Sequence, residues 1–228
     1  GAGNPTYEIA MAQTFDVPIY GISLRNGLPG VKHALEIIAK EHDCQLFISA
    51  DIGSDTFFTG EETQVCSPLI DAFSVICASE MSIPGVYALN GYGGDAEMHI
   101  AHLNRNVGEC MRRGGFLGAS GLTQKDVLDL QKIFDIIGPD DVEQWPQRAA
   151  KGELGVFYCK RLWGVERIPA AAVTFFFDPD VVCAMNPAIQ ACMDTKTLQE
   201  AEDAIWSQCG ILSETRLAMD LPYPMPPQ

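Results

Sequence analysis

Hydrophobic and polar positions in the first half of the chain predict strands separated by helices. Apolar runs without clean alternation at 45–51 and from Val86 onward predict buried strands. Between them, Ser67 and Pro68 predict the start of a helix that runs to about Glu80, because serine caps a helix and proline favours its first position. This order is typical of a parallel strand–helix–strand unit.

The remaining pattern predicts an α/β fold: a Rossmann-like, mostly parallel sheet flanked by helices, with an irregular or antiparallel β portion near the C-terminus. We expect one domain over residues 1–228, in which 153–220 form a C-terminal β/α extension and 221–228 an extended proline-rich tail. The segment 140–152 is predicted to be a polar loop. Further helices are predicted at 5–15, 31–42, 96–113, 123–138 and 197–208, and further strands at 17–23, 155–159 and 171–177.

Glycines followed by acids end both strands of the predicted parallel unit, in the segments 51–55 and 91–97. Ligands bind at the carboxyl ends of strands in open α/β sheets, and glycine lets a ligand approach the backbone. We therefore expect the two loops to share one crevice. The candidate substrate-binding residues are Gly53, Ser54, Gly91, Gly93, Gly94, Glu61, Glu62, Asp71 and Glu214.

The acids of this crevice suggest two roles. Asp51, Asp55 and Asp95 are the candidate catalytic residues, one of them acting as general base. The same three with Glu97 are the candidate ligands of a divalent cation, and oxygen ligands favour magnesium, manganese or calcium. The alternative is structural: Asp95 would cap a helix and Asp55 would be a turn residue.

Other chemistry is weaker in the sequence. The spacing at 91–95 is not that of a dinucleotide loop, an acid stands where pyrophosphate would lie, and no P-loop occurs, so neither NAD nor a P-loop nucleotide is predicted. His99 and His102 are spaced to bind a transition metal with Asp95, but a solvated helix face is the favoured interpretation. Ser67 lacks the context of a nucleophile and is explained as a helix cap.

Composition limits the partners. The net charge of −15 argues against nucleic acid and against an anionic membrane surface. No apolar run is long enough for a membrane span, and none of the eight cysteines forms a Cys-x-x-Cys pair, so a reducing cytoplasm is expected. The expected partner is a small-molecule ligand, with a homo-oligomer as a further possibility.

Five short motifs follow one another along the chain. They are Asp51-Ile52-Gly53-Ser54-Asp55, Gly60-Glu61-Glu62, Ser67-Pro68-Leu69-Ile70-Asp71, Gly91-Tyr92-Gly93-Gly94-Asp95-Ala96-Glu97 and Gly210-Ile211-Leu212-Ser213-Glu214. These motifs, in this order, resemble those of an archaeal and bacterial family catalogued as domain of unknown function 1152. The resemblance spans nearly the whole chain and implies a Rossmann-like fold, but it assigns no chemistry.

The chain departs from the family pattern at three places. Ser54 and Ala96 stand where the family has glycine. The family also opens with a glycine-rich strand end of its own, and none precedes Gly1. We therefore expect either an incomplete chain or an altered function.

Two functions remain open from the sequence. The first is a cytoplasmic small-molecule enzyme, a metal-assisted hydrolase or transferase that acts on a polar metabolite. The alternative is a non-catalytic ligand-binding or assembly subunit, which is favoured if the missing glycine-rich strand carries the chemistry.

Overall fold

The computed structural model describes residues 6–138, 142–158 and 164–220. Within these ranges the chain forms ten α-helices and six β-strands. In chain order they are α1 (Tyr7–Phe15), α2 (Gly27–Glu41), β1 (Phe47–Ile52), α3 (Pro68–Glu80), β2 (Gly85–Asn90), α4 (Ile100–Arg112), β3 (Phe116–Gly121), α5 (Gln124–Ile137), α6 (Trp145–Ala150), β4 (Gly155–Tyr158), β5 (Gly164–Arg167), β6 (Val173–Phe177), α7 (Pro179–Met185), α8 (Pro187–Cys192), α9 (Leu198–Cys209) and α10 (Glu214–Asp220).

Four strands form a mixed sheet in the order β1-β2-β6-β3. β1 and β2 are parallel, with Phe47 opposite Gly85 and Ile52 opposite Asn90. β6 is antiparallel to both β2 and β3. The fold is therefore mixed α/β. The prediction of a Rossmann-like, mostly parallel sheet is not confirmed, because one of the three pairings in this sheet is parallel.

The helix α3 connects β1 to β2, as the sequence predicts. Its Leu69, Phe73 and Ile76 are at most 1% exposed, and Ser74 on α3 shares a 2.7 Å hydrogen bond between hydroxyls with Ser49 on β1. Burying each large apolar side chain contributes about 1.5–3 kcal/mol. This packing fixes α3 on the sheet and brings the carboxyl ends of β1 and β2 side by side.

Some predicted elements are wrong. The segment 17–23 pairs with no strand in the described part of the chain. Its alternating apolar residues Val17 and Ile19 are exposed, and Pro18 has no N–H for a ladder. β3 is not predicted from the sequence, because its Gly118 and Gly121 are unusual within a strand. Helix α6 lies in the segment predicted as a loop, and α4 starts at Ile100 rather than at 96.

The C-terminal part is built into the main sheet rather than appended to it. β6 lies between β2 and β3, while β4 and β5 form a separate antiparallel hairpin. Phe157 and Val165 of the hairpin pack in a small core with Trp145. Antiparallel strands were expected here, but the insertion of β6 was not. The predicted proline-rich tail, 221–228, lies outside the described residues.

Among the helices of the described residues, none combines the length and the apolar character that a membrane span needs.

Candidate functional site

The loops that follow β1 and β2 are hydrogen-bonded to each other. Gly53 donates its amide to the Asn90 carbonyl at 3.1 Å, and Gly93 donates to the Gly53 carbonyl at 2.9 Å. A side chain at Gly53 is excluded, because a Cβ would lie 2.5 Å from Oδ2 of Asp95. The glycine thus lets the Asp95 carboxylate of the second loop lie over the first.

Ser54 holds the Asp95 carboxylate with two groups. Its backbone amide donates to Oδ2 at 3.0 Å, and its hydroxyl lies 2.7 Å from Oδ1. The alternative in which Asp95 caps a helix is wrong, since α4 begins later and His99 is its N-cap residue. Asp95 therefore joins the two loops.

The carboxylates at the ends of β1 and β2 form two groups that share Asp55. Oxygens of Asp51, Asp55 and Asp71 lie within 4.8 Å of one another, and so do oxygens of Asp55, Asp95 and Glu97. Oxygens on opposite sides of an octahedral magnesium are about 4.2 Å apart, and about 4.8 Å across calcium. The structure thus brings together all four predicted metal ligands, with Asp71 as a fifth carboxylate at spacings that suit a divalent cation.

Neutral donors orient these carboxylates. Thr56 and Tyr87 each donate a hydroxyl hydrogen bond to Oδ2 of Asp51 at 2.9 Å. The Ser67 hydroxyl lies 3.1 Å from Oδ2 of Asp55 and 3.0 Å from Oε1 of Glu97. The sequence analysis missed all three roles. Proximity in the chain to the acids was a signal for Thr56 and Ser67, but Tyr87 is identified only by the alignment of β2 with β1.

The expected cap of α3 is also different. Ser67 makes no side-chain capping bond. Instead Glu214, at the start of α10, accepts the amide hydrogens of Leu69 at 3.1 Å and Ile70 at 2.6 Å. Ser67 is therefore free to serve the acids. Glu214, predicted as a substrate-binding residue, is bound to the helix end.

Glu97 is held by the residues before α3. The amide of Cys66 donates to Oε2 at 2.7 Å, and the Cys66 thiol lies 3.0 Å from Oε1. The Ser67 amide adds a longer bond of 3.3 Å to Oε2. Glu97 is 5% exposed. It is thus fixed toward Asp55 by a backbone that the sequence pattern does not indicate.

Electrostatics disfavour ionisation of the aspartates. Burial, followed by repulsion from neighbouring carboxylates, raises the pKa of Asp55 and of Asp71 well above the usual value. A hydrogen bond from protonated Asp55 would oppose the rise for Asp71. Burial also raises the pKa of Asp51, against hydrogen bonds from Thr56 and Tyr87 that lower it. Burial and repulsion from Glu97 raise the pKa of Asp95 to about 7.

Basic groups do not compensate this charge. Over residues 6–138, 142–158 and 164–220, no lysine, arginine or histidine forms an ion pair with Asp51, Asp55, Asp71 or Asp95. When several carboxylates buried this close together ionise, a cation among them offsets their repulsion and the cost of their burial. The arrangement can therefore hold either protons or a cation.

The structure places Glu61 and Glu62 in a different network. Glu62 accepts hydrogen bonds from the Thr59 amide at 2.9 Å and from Asn106 Nδ2 at 2.7 Å. Arg105 lies 2.8 Å from the exposed Glu61 and 3.6 Å from Glu62. Neither glutamate belongs to the two carboxylate groups. They tie the loop after β1 to α4.

The two histidines of the alternative metal site also lie apart from the acids. His99 accepts the Ala101 amide hydrogen at Nδ1 and so caps α4, and its ring contacts that of His102 with centroids 6.2 Å apart. Neither histidine belongs to a potential metal-binding group in the described part of the chain. The favoured interpretation, a solvated helix face, agrees with their positions.

The glycines of the loop after β2 lie against other side chains rather than beside open space. A Cβ on Gly94 would lie 2.7 Å from Trp145, and one on Gly91 would lie 2.7 Å from Ile52. Ala96 has a φ of 62°, a left-handed conformation that favours glycine, and it is buried. The loop thus packs against α6 with little space around its backbone.

Two open grooves were found elsewhere. Their volumes are about 530 and 420 Å³, and both are bordered by Pro84, next to the amino end of β2. They lie at the opposite end of the parallel strands from the acids. None of the five clustered carboxylates lines either groove.

Fold and site together define a mixed α/β protein with a buried carboxylate cluster at the carboxyl ends of two parallel strands. The chain belongs to the family described as a protein of unknown function (DUF1152), whose sequence model matches residues 2–221. The resemblance inferred from the motifs is thereby confirmed. No curated protein and no solved structure matches the chain.

Proposed function

We propose that this chain binds a divalent cation, magnesium, manganese or calcium, and acts as a metal-assisted hydrolase or transferase on a polar metabolite. One observation carries the proposal: Asp51, Asp55, Asp71 and Asp95 are brought together with raised pKa values and without a basic partner among the described residues. A cation would offset their repulsion and the cost of their burial.

The chemistry of the donors favours hard cations. Carboxylate oxygens are the ligands of magnesium, manganese and calcium, whereas thiol and imidazole groups suit zinc and copper. The hydroxyls of Thr56, Ser67 and Tyr87 supply the outer hydrogen bonds that orient ligating carboxylates. Asp55, which is common to both groups, would contact the cation in either position.

A role for Asp95 follows from its pKa of about 7. A general base works best when its pKa is near the working pH. A bound divalent cation supplies Lewis acidity and lowers the pKa of a coordinated water. A cation bound to Asp95 itself would lower this pKa, so the role requires the cation to lie in the group of Asp51, Asp55 and Asp71, where Asp95 is not a ligand. In that arrangement we assign Asp95 the task of accepting a proton, with Ser54 keeping the carboxylate in place.

A second candidate, a non-catalytic ligand-binding or assembly subunit, is favoured by burial. Asp55 is 4% and Glu97 is 5% exposed. An ion fits among such side chains, whereas a metabolite needs more access. In this second function the cation would stabilise the joined loops.

We also propose a cytoplasmic location for the protein. Cys77, Cys110, Cys183 and Cys192 are buried free cysteines. Burial raises the pKa of Cys77 and Cys183 to about 12, so their thiols remain protonated and unreactive. Cysteines kept as small apolar side chains suit a reducing compartment.

Thermal unfolding with and without divalent cations tests the cation site. A cation at a hundredfold excess over its Kd stabilises the folded state by about 2.7 kcal/mol. Magnesium, manganese or calcium should therefore raise the Tm of the wild type. Asp55→Asn should abolish the rise, while Glu61→Gln, at an exposed acid outside the cluster, should retain it. A wild-type Tm unchanged by millimolar cations would refute the site.

Turnover assays separate the two functions. The wild type with the stabilising cation would be incubated with phosphate esters, carboxylic esters and amides, next to Asp95→Asn. The enzyme function predicts turnover that requires the cation and falls at least about 100-fold in Asp95→Asn. Stabilisation by the cation without turnover of any class would favour the binding or assembly subunit.

A further inference from the structure

The outer edge of β1 is an unpaired edge of the sheet. Phe47 donates its amide hydrogen to the carbonyl of Pro84, just before β2, and Gly53 donates to the carbonyl of Asn90, the last residue of β2. Because bonding alternates along a strand, the backbone N–H and C=O groups of Ile48, Ala50 and Ile52 point away from β2. β1 ends the strand order, so these groups have no strand beside them in the described part of the chain.

Protection that natural edge strands use is missing from β1. Edges are usually blocked by charged residues, proline, a bulge or very short length. β1 has six residues that pair with β2 in regular register, and residues 44–50 contain no charged residue and no proline. Ile48 is 47% and Leu46 is 48% exposed. The edge is thus regular, and its part before Asp51 carries no charge and exposes apolar side chains.

The other edge of the same sheet differs. In β3 the register shifts between Phe116 and Gly118, and Gly118 and Gly121 weaken the strand. A bulge and glycines oppose the addition of a strand at β3. The contrast makes β1 the edge that can accept a partner.

The negative charge of the chain bears on where two copies can meet. The chain carries a net charge of −15, so most approaches between two copies bring like charges together. The run 44–50 carries no charge, so repulsion between two copies is weaker there than over the acidic remainder of the surface. An edge is also complementary to itself, because two identical strands related by a two-fold axis pair antiparallel through the same outward groups.

We propose that two copies of this chain associate through β1, forming one continuous eight-stranded sheet across a two-fold axis. The edge of a six-residue strand buries less than the roughly 800 Å² per partner of a standard interface. We therefore expect a Kd on the order of 10–100 µM. The proposal is independent of the divalent cation, since the outward groups of β1 do not ligate it.

Sedimentation equilibrium of the full chain from about 5 to about 300 µM tests this association. The wild type should shift from monomer to dimer. Ala50→Pro removes an outward N–H without removing a bond to β2, and Ile48→Lys places a charge on the edge. Each should weaken dimerisation at least tenfold. Val156→Lys, at an apolar residue that is 62% exposed on β4, should dimerise like the wild type.

Circular dichroism and Tm establish that each variant is folded. Ile48→Lys changes an exposed side chain and serves if Ala50→Pro does not fold. A wild type that stays monomeric at the highest concentration overturns the proposal. So does a dimer that Ile48→Lys leaves intact, or one that Val156→Lys weakens equally, because either result places the interface elsewhere.

Discussion

Asp55 and Glu62 follow the same strand and are nearly inaccessible, at 4% and 6% exposure, yet their surroundings differ in kind. Glu62 accepts hydrogen bonds from Thr59 and Asn106, and the Arg105 guanidinium lies 3.6 Å away. Although burial raises the pKa of Glu62, these hydrogen bonds lower it below the usual value. Asp55 faces other carboxylates, and its pKa is raised.

This difference separates an acid that stabilises the fold from one that awaits a ligand. A buried charge with its partners in the chain is part of the structure, and removing it leaves those partners unsatisfied. A buried acid among like charges costs stability when it ionises. Glu62 therefore fixes the loop after β1 to α4, and Asp55 keeps a binding capacity.

The largest expected effect is on the pH dependence of stability without metal. Asp95 has a pKa raised from 3.8 to about 7. The protonated Asp95 side chain stabilises the folded state. This contribution is complete at a pH below the pKa of the unfolded chain and is lost as the pH rises through the pKa of the folded state. Each pKa unit corresponds to about 1.4 kcal/mol, so the loss is on the order of 4 kcal/mol. Asp95→Asn should therefore gain stability relative to the wild type as the pH rises.

Urea unfolding with a chelator, from about pH 4.5 to about pH 8.5, measures this difference. Saturating cation should remove the wild-type loss at high pH, because the ionised carboxylates then have a partner. A wild type that gains stability relative to Asp95→Asn as the pH rises would contradict the raised pKa.

The matched substitution Glu62→Gln should have the opposite effect and lower the stability of the protein. The amide keeps the shape of the side chain, but its NH₂ group cannot accept the Thr59 amide hydrogen. Since one buried donor loses its acceptor, we expect a loss of about 1–3 kcal/mol at neutral pH. The pKa of Glu62 is lowered, so the wild-type advantage should shrink as the pH falls below the usual glutamate value. An unchanged unfolding free energy would place Glu62 outside the structural network.

Glu214→Ala tests the cap of α3. Loss of a side-chain cap costs about 0.5–2 kcal/mol, and two amides lose their acceptor here. Glu109→Ala is the control, because its pairs with Arg112 and Arg113 are exposed and exposed pairs contribute little. Equal costs for the two variants in thermal unfolding would show that Glu214 does not cap the helix.

Ala96→Gly should have the smallest effect and the opposite sign. A residue with a Cβ in the left-handed conformation of Ala96 costs about 1–2 kcal/mol. Glycine removes this cost, but its greater freedom in the unfolded chain offsets part of the gain. We expect a gain of about 0.5–1 kcal/mol in unfolding free energy. Ala78→Gly inside α3 should instead lose about 1 kcal/mol. A loss in both variants would refute the strain at Ala96.

The sequence supports the position of the acids but not their partners. Asp51 lies in the last residues of one strand, and Asp55, Asp95 and Glu97 lie just after the ends of two strands. The local pattern of apolar residues, glycines and acids is the same at both ends, and a parallel pairing is enough to bring these acids together. Glu61 and Glu62 have the same local setting. Their side chains turn away from the carboxylate cluster because they bind Arg105 and Asn106, which the tertiary packing of α4 places beside them.

The sheet order was hidden for a related reason. The run at 173–177 has the composition of a buried strand, but its insertion between β2 and β3 is decided by long-range pairing. The glycine-rich β3 has a composition that disfavours strands, and its partner β6 supplies the pairing. Local pattern therefore predicts elements better than their neighbours.

Calorimetric titration of manganese into metal-free protein at about pH 6.5, in buffers of different ionisation enthalpy, tests the central claim most directly. The account predicts saturable binding with release of protons, because cation and protons compete for Asp55, Asp71 and Asp95. Asp55→Asn should lose the binding, and Glu61→Gln should retain it. Absence of binding at millimolar manganese, or binding that Asp55→Asn leaves unchanged, would contradict a cation site in the carboxylate cluster.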